Sequence, residues 1–204
     1  MHDSRLSDID VRLINDPRRS EEAQRLLPVL AAIARNGFGT AMTAEDVQTH
    51  VTGVDRLYLI RERENIVGFS SYDQHDDVLY LNGIVVHRDC QKRGIFGHVN
   101  SIALRDAYPA HFAMRTQNPV VYGATKKIVR EIYPREPLLP PKHILEIARR
   151  YGGGQMEEDT FVIRGCYGTS LYDRIPAHED RRLFDNVLKL DYGRGDAVII
   201  VGVL

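Results

Sequence analysis

The chain has 204 residues, 43% hydrophobic and 27% charged, with a formal net charge of −1. This is an ordinary globular balance, long enough for one domain with a sizeable core. A charge near zero gives no overall attraction to nucleic acid or to an anionic membrane, so any basic site must be local. No stretch approaches the ~20 apolar residues that span a bilayer. The opening M-H-D-S-R-L-S-D-I-D has no apolar signal-peptide core. Cys90 and Cys166 make neither a metal spacing nor a disulfide framework, and the eight histidines show no H-x-x-H or H-E-x-x-H pattern. The expectation is a cytoplasmic protein without a metal centre.

Ile9 to Ile14 alternates like a half-buried strand. After Asn15-Asp16-Pro17, Ser20 suits an N-cap with Glu21 and Glu22 in the first turn. Leu26, Leu27, Leu30 and Ile33 then form a helical stripe ending at Asn36-Gly37. Pro28 is expected to kink or split this helix. Thr43 and Asp46 have capping-box spacing for a second helix reaching about His50. Three strand-like runs follow, Arg56 to Arg63, Ile66 to Asp73 and Val78 to Val86, separated by breaks short enough for hairpins.

Between Tyr80 and Leu104 lies the most informative stretch. Leu81, Ile84, Val85 and Val86 suit a sheet interior. His87 to Arg93 is polar, and Ile95, Val99, Ile102 and Ala103 then recur at helical spacing. Phe112 to Arg115 reads as a strand parallel to the Val86 strand, because a helix crosses over between them. Thr116 to Pro119 is a turn, and a helix is predicted from Pro119 to about Ile132. The proline-rich stretch from Tyr133 to Pro141 is a linker. A helix at Lys142 to Tyr151 stops at three glycines, and Thr160 to Gly165 is strand-like. Tyr167 to Arg194 is polar, with one short helix near Arg181 to Leu188. The closing A-V-I-I-V-G-V-L predicts a strand covered on both faces.

The junction at Gly94 suits anion binding. The first turn of a helix carries unpaired N–H groups at the positive end of its dipole, and a glycine leaves their approach open. Lys92 and Arg93 would add full charges. The mononucleotide pattern G-x-x-x-x-G-K-[ST] and the dinucleotide pattern G-x-G-x-x-G are both absent there.

Gln91, Gly94 and Phe96 fall on the fixed positions of [QR]-x-x-G-x-[GA], the acyl-CoA motif of the GNAT superfamily of N-acetyltransferases, with Val86 five residues upstream. Two of the three positions agree. Phe96 replaces the small residue, and Gly97 follows one place late. The order of elements also resembles that family from about Asp10 to Tyr133. The resemblance implies an α/β fold (α+β by some schemes): a central mixed, mostly antiparallel sheet with one parallel pair and helices on both faces. It implies a single domain with its core at about 9–133 and an elaborated C-terminal part, 134–204.

By the same resemblance, acetyl-CoA would be the donor and a small-molecule or peptide amine the acceptor, in direct transfer. Backbone groups of Gln91, Lys92, Arg93, Gly94, Ile95, Phe96 and Gly97 would cradle the pyrophosphate. Ile84, Val85 and Val86 would pair with the pantetheine amides in the gap between the Val86 and Phe112 strands. Asn118 and Tyr122 match the helix that often carries the general acid, with Tyr133 in reserve. The base is open: the Val78-to-Val86 strand holds no carboxylate, Asn82 could only order a water, and His87 is the nearest imidazole. Cys90 reads better as a structural cysteine than as a nucleophile. A GNAT-like acyl-CoA-binding module without turnover is the alternative, and acyl-homoserine lactone synthesis is a third reading. No nucleic-acid or membrane partner is expected; the sequence leaves the oligomeric state open, although an exposed final strand could pair two copies as a homodimer.

Overall fold

A computed structural model describes residues 6–38, 43–172 and 175–204; the opening residues and the 167–194 region read above fall partly outside them. The chain gathers into two compact units, Met1–Tyr108 and Pro109–Leu204. In the first, β1 (Ile9–Asn15), β2 (Arg56–Glu62), β3 (Asn65–His75) and β4 (Val78–Val86) are successive antiparallel neighbours. Their period-two pattern divides the side chains between two faces. Leu57, Leu59, Phe69 and Val85 meet Ala23, Leu30 and Ala34 of α1 (Glu21–Phe38) and Val47 and Val51 of α2 (Ala44–Thr52). Tyr58 and Tyr72 lie edge to face, 5.5 Å apart. Their hydroxyls donate to Asp106 (3.2 Å) and Asn100 (3.0 Å) of α3 (Ile95–Ala107). Burial, then the Asp106 charge, pushes the Tyr58 phenol up to about 12.

The helix signals hold at the caps. Ser20 Oγ accepts the Ala23 N–H at 3.2 Å. Thr43 Oγ1 accepts the Asp46 N–H at 3.1 Å while the Asp46 carboxylate accepts the Thr43 N–H at 3.0 Å. Pro28 does not split α1, which runs unbroken through it. Pro28 and Gln24, whose carbonyl loses its donor, are both exposed, so water can satisfy that oxygen. Nor does Asn36-Gly37 stop the helix; Asn36 instead accepts the Arg88 N–H at 2.7 Å.

In the second unit, β9 (Ala197–Val203) is central and buried throughout except at Val203. One edge pairs with β5 (His111–Thr116), the other with β6 (Glu131–Tyr133) and β8 (Val162–Ile163). The two-residue β7 (Met156–Glu157) pairs with β8. The helix predicted to Ile132 is shorter: α4 covers Pro119–Thr125, and Ile132 lies in β6. The Arg130 N–H bonds to Val203 O at 2.8 Å, so the sheet edge outcompetes the helical period. α5 (Lys142–Gly152) forms as expected. The short helix predicted near Arg181 to Leu188 forms, its part from Leu183 to Val187 wound wide and closed by Leu188 N–H to Leu183 O at 2.9 Å.

Asp196, fully buried just before β9, ties this unit together. It accepts from Arg164 (2.8 Å), Arg194 (2.7 Å) and the N–H groups of Gly165 (2.8 Å) and Asp191 (3.0 Å). Burial alone would raise its carboxyl, but Arg194, Arg164 and the two N–H donors hold it well below the usual carboxylate range.

Candidate functional site

The end of β4, the loop to α3 and the start of α3 form the candidate site in the first unit. The β3–β4 register slips between Ser71 and Tyr72, so Asn82 has no partner and β4 bulges there. The extra residue is anchored by its side-chain amide, which donates to Asp73 Oδ2 at 2.9 Å. Val85 is buried; Ile84 and Val86 are partly exposed. The Gln91 amide reaches back across the loop and donates to Val86 O at 3.0 Å, closing the turn. In this arrangement Gln91 shapes the loop with its side chain.

Gly94 is the N-cap of α3 at φ 84°, a left-handed conformation that favours glycine, and no side chain caps the helix. A Cβ added at Gly94 or Gly97 would meet nothing within 4 Å, so the space before the first turn is open. Ile95 is buried and anchors that turn, and Phe96 is partly buried. The first-turn N–H groups therefore lie behind no side-chain acceptor, with an open approach and the positive end of a 13-residue helix. A diphosphate fits such a cradle.

The cations divide into two kinds. Arg93, expected to serve the anion, is held by Glu62 at the end of β2 at 2.7 Å. The side chains of Lys92 and Arg88 are exposed and make no hydrogen bond or ion pair among the described residues. Cys90 is buried, 3.8 Å from Glu62 Oε2; burial and then the Glu62 charge push its thiol up, the reverse of nucleophile activation. His87 Nδ1 lies 3.4 Å from the Asp89 N–H and accepts from it, so the neutral ring carries its proton on Nε2.

The second unit holds the expected acid. Asn118 caps α4, its Oδ1 accepting the Val120 N–H at 2.9 Å. Tyr122 is buried, and its hydroxyl donates to Pro134 O at 2.8 Å. Burial, then the Asp180 charge, pushes this phenol well above its usual range. Proton donation elsewhere would require that bond to break. The Tyr133 hydroxyl, 2.9 Å from Glu131 and 3.0 Å from Arg135, is likewise engaged. The sequence reading missed Tyr172, whose phenol burial pushes up and the neighbouring Asn118 side chain pulls back down; it comes from a segment with no regular element to place it. His178, Glu179 and Asp180 converge with ligand atoms within 4.8 Å, but Lys126 already meets Asp180 Oδ1 at 2.8 Å. No helix among the described residues is long and apolar enough to cross a membrane.

No protein-family model matches the chain, and no curated protein is similar to it. Among solved structures, the ribosomal-protein-S18-alanine N-acetyltransferase from Escherichia coli aligns with a TM-score of 0.57 at 10% identity, over 95% of this chain and 94% of that one. A GNAT family acetyltransferase from Elizabethkingia anophelis with acetyl-CoA bound aligns at 0.48, with 11% identity over 97% and 99%. The Bacillus subtilis acetyltransferase in complex with CoA also aligns at 0.48, with 12% identity over 96% and 99%; scores that low carry no argument. The Escherichia coli alignment establishes the fold and no more: the chain has the GNAT-like α/β fold that its order of elements resembles.

Proposed function

We propose that the chain is an acyltransferase that moves an acetyl group from acetyl-CoA to a primary amine while both substrates are bound. The observation that carries this reading is the start of α3, uncapped, with a left-handed Gly94 and open space before Gly94 and Gly97. The N–H groups of Gly94 to Gly97 hold the pyrophosphate, and the exposed Lys92 and Arg88 add charge. Arg93 serves the site indirectly, by fixing the loop to Glu62. The backbone of Ile84 to Val86 pairs with the pantetheine amides. Three residues back from Val86, about 10 Å at ~3.3 Å per residue, the thioester reaches the bulge at Asn82 and Gly83. Asn118 orders the start of α4, and the Tyr122 hydroxyl stays on Pro134.

One observation favours a non-catalytic acyl-CoA-binding module: the hydroxyls of Tyr122 and Tyr133 are both engaged within the protein. Thiol release from acetyl-CoA, measured across small amines and peptides with free N-termini, separates the two readings. The enzyme reading expects amine-dependent release matched by an acetylated product in the mass spectrum. Binding of acetyl-CoA with no release from any amine establishes the module instead.

A further inference from the structure

We infer that His50 of α2 is the base that takes the proton from the acceptor's ammonium group; the inference rests on the acetyl-transfer reading above. An amine that reaches the thioester protonated has no lone pair to attack with, and β4 offers no carboxylate. His50 stands at the bulge of that strand. A Cβ built on Gly83, next to Asn82 at the bulge, would lie 3.3 Å from His50 Cδ2, so the ring stands against the strand at a place where any side chain would crowd it. Gly83 lies on the face of Val85, two residues on, which packs beneath α1 and α2.

The tautomer is built in. His50 Nδ1 lies 2.8 Å from the carbonyl oxygen of Asp46, one turn back. A carbonyl only accepts, so Nδ1 carries the ring proton and Nε2 keeps its lone pair. His87 has the opposite arrangement, because its Nδ1 accepts from the Asp89 N–H. Unlike His87, His50 therefore keeps its outer nitrogen, Nε2, as the basic one.

The carboxylate nearest in sequence, Asp46 of the same helix, is turned to the Thr43 N–H, 3.0 Å away. The strand residues across from His50, Gly83 and the Ser71 hydroxyl beside Gly83, do not titrate. No ion pair joins it to α1 or to the Pro17–Arg19 turn among the described residues. The step balances as follows. Nε2 takes one ammonium proton and later passes it to solvent. The C–N bond forms as the C–S bond breaks, and the thiolate leaves with a second proton from the amine nitrogen. One ammonium and one thioester give one amide, one thiol and one released proton.

Two measurements test this. Long-range nitrogen–proton NMR on the wild type reports the tautomer without turnover: protonated Nδ1 on His50 is expected, and a proton on Nε2 overturns the inference. The pH profile of kcat/KM is then compared for wild type, His50→Gln and His87→Gln. We expect His50→Gln to lose 10²-fold or more at neutral pH and to lose the acidic limb with acetyl-CoA affinity unchanged, and His87→Gln to keep the acidic limb whatever its rate. An active wild type whose limb survives His50→Gln overturns this inference alone. A wild type that binds acetyl-CoA but acetylates no amine overturns the proposed function, and this inference with it.

Discussion

Replacing Gly94 by valine separates the two demands on that residue. At φ 84° any side chain is strained, by ~1–2 kcal/mol for the left-handed region and more for a β-branched one. No steric term adds to it, since a Cβ there meets nothing within 4 Å. For a chain of this size that loss lowers the melting midpoint by roughly 2–8 °C, at 2–4 °C per kcal/mol, and the protein still folds. Ligand binding suffers separately, because the branched side chain stands in the open space before the first-turn N–H groups. Each charge-assisted hydrogen bond lost there is worth ~1.5–3 kcal/mol, which corresponds to about 10- to 150-fold weaker CoA binding. Calorimetric titration of CoA into wild type, Gly94→Ala and Gly94→Val reads this directly. Alanine shares the backbone strain but intrudes less, so affinity should fall in the order Gly, Ala, Val. A folded Gly94→Val protein that binds CoA as tightly as wild type would refute the cradle.

Two further substitutions probe the second unit. Tyr122→Phe leaves the Pro134 carbonyl without its buried donor and should cost ~1–3 kcal/mol of stability while kcat stays within about twofold of wild type. A 10²-fold fall in kcat in a folded variant would make Tyr122 the acid after all. Asp196→Asn removes the carboxylate that Arg164 and Arg194 share. Breaking a buried pair costs ~3–5 kcal/mol; the arginine side chains are 30% and 51% exposed and partly rehydrate, so we expect ~2–3 kcal/mol. The sign with pH follows from the depressed carboxyl. Its contribution is fully present above the unfolded carboxylate pKa of ~3.9 and is lost as pH falls below that toward the folded value. Urea midpoints at pH 7 and pH 3 should therefore differ less for Asp196→Asn than for wild type; an equal difference would remove Asp196 from the account.

The first unit was largely legible in the sequence because its signals are local. Alternation gives β4 its bounds from Val78 to Val86, and Thr43 with Asp46 announces the cap of α2. The fate of Arg93 was not legible: basic residues beside a glycine suggest an anion, but Glu62 comes from β2, and only the folded sheet brings it within 2.7 Å. In the second unit, Val121, Ile128 and Ile132 read as a helix because their spacing is helical, while the edge of β9 that captures Arg130 to Tyr133 lies about 70 residues onward. The Tyr122 bond to Pro134 and the approach of Tyr172 to Asn118 are long-range facts of the same kind. The tautomer of His50 follows from one helical hydrogen bond, but its meaning depends on a β-bulge invisible in the alternation of β4.

The central claim is that this chain binds acetyl-CoA at the start of α3, and a thermal-shift titration of the wild type with acetyl-CoA, ATP and NAD tests it most directly. At 100 times its dissociation constant, a ligand that binds only the folded state adds about 2.7 kcal/mol. That should raise the midpoint by roughly 5–10 °C. A rise of this size with acetyl-CoA, absent with ATP and NAD, is the predicted result. No rise with acetyl-CoA, or an equal rise with ATP or NAD, would contradict it.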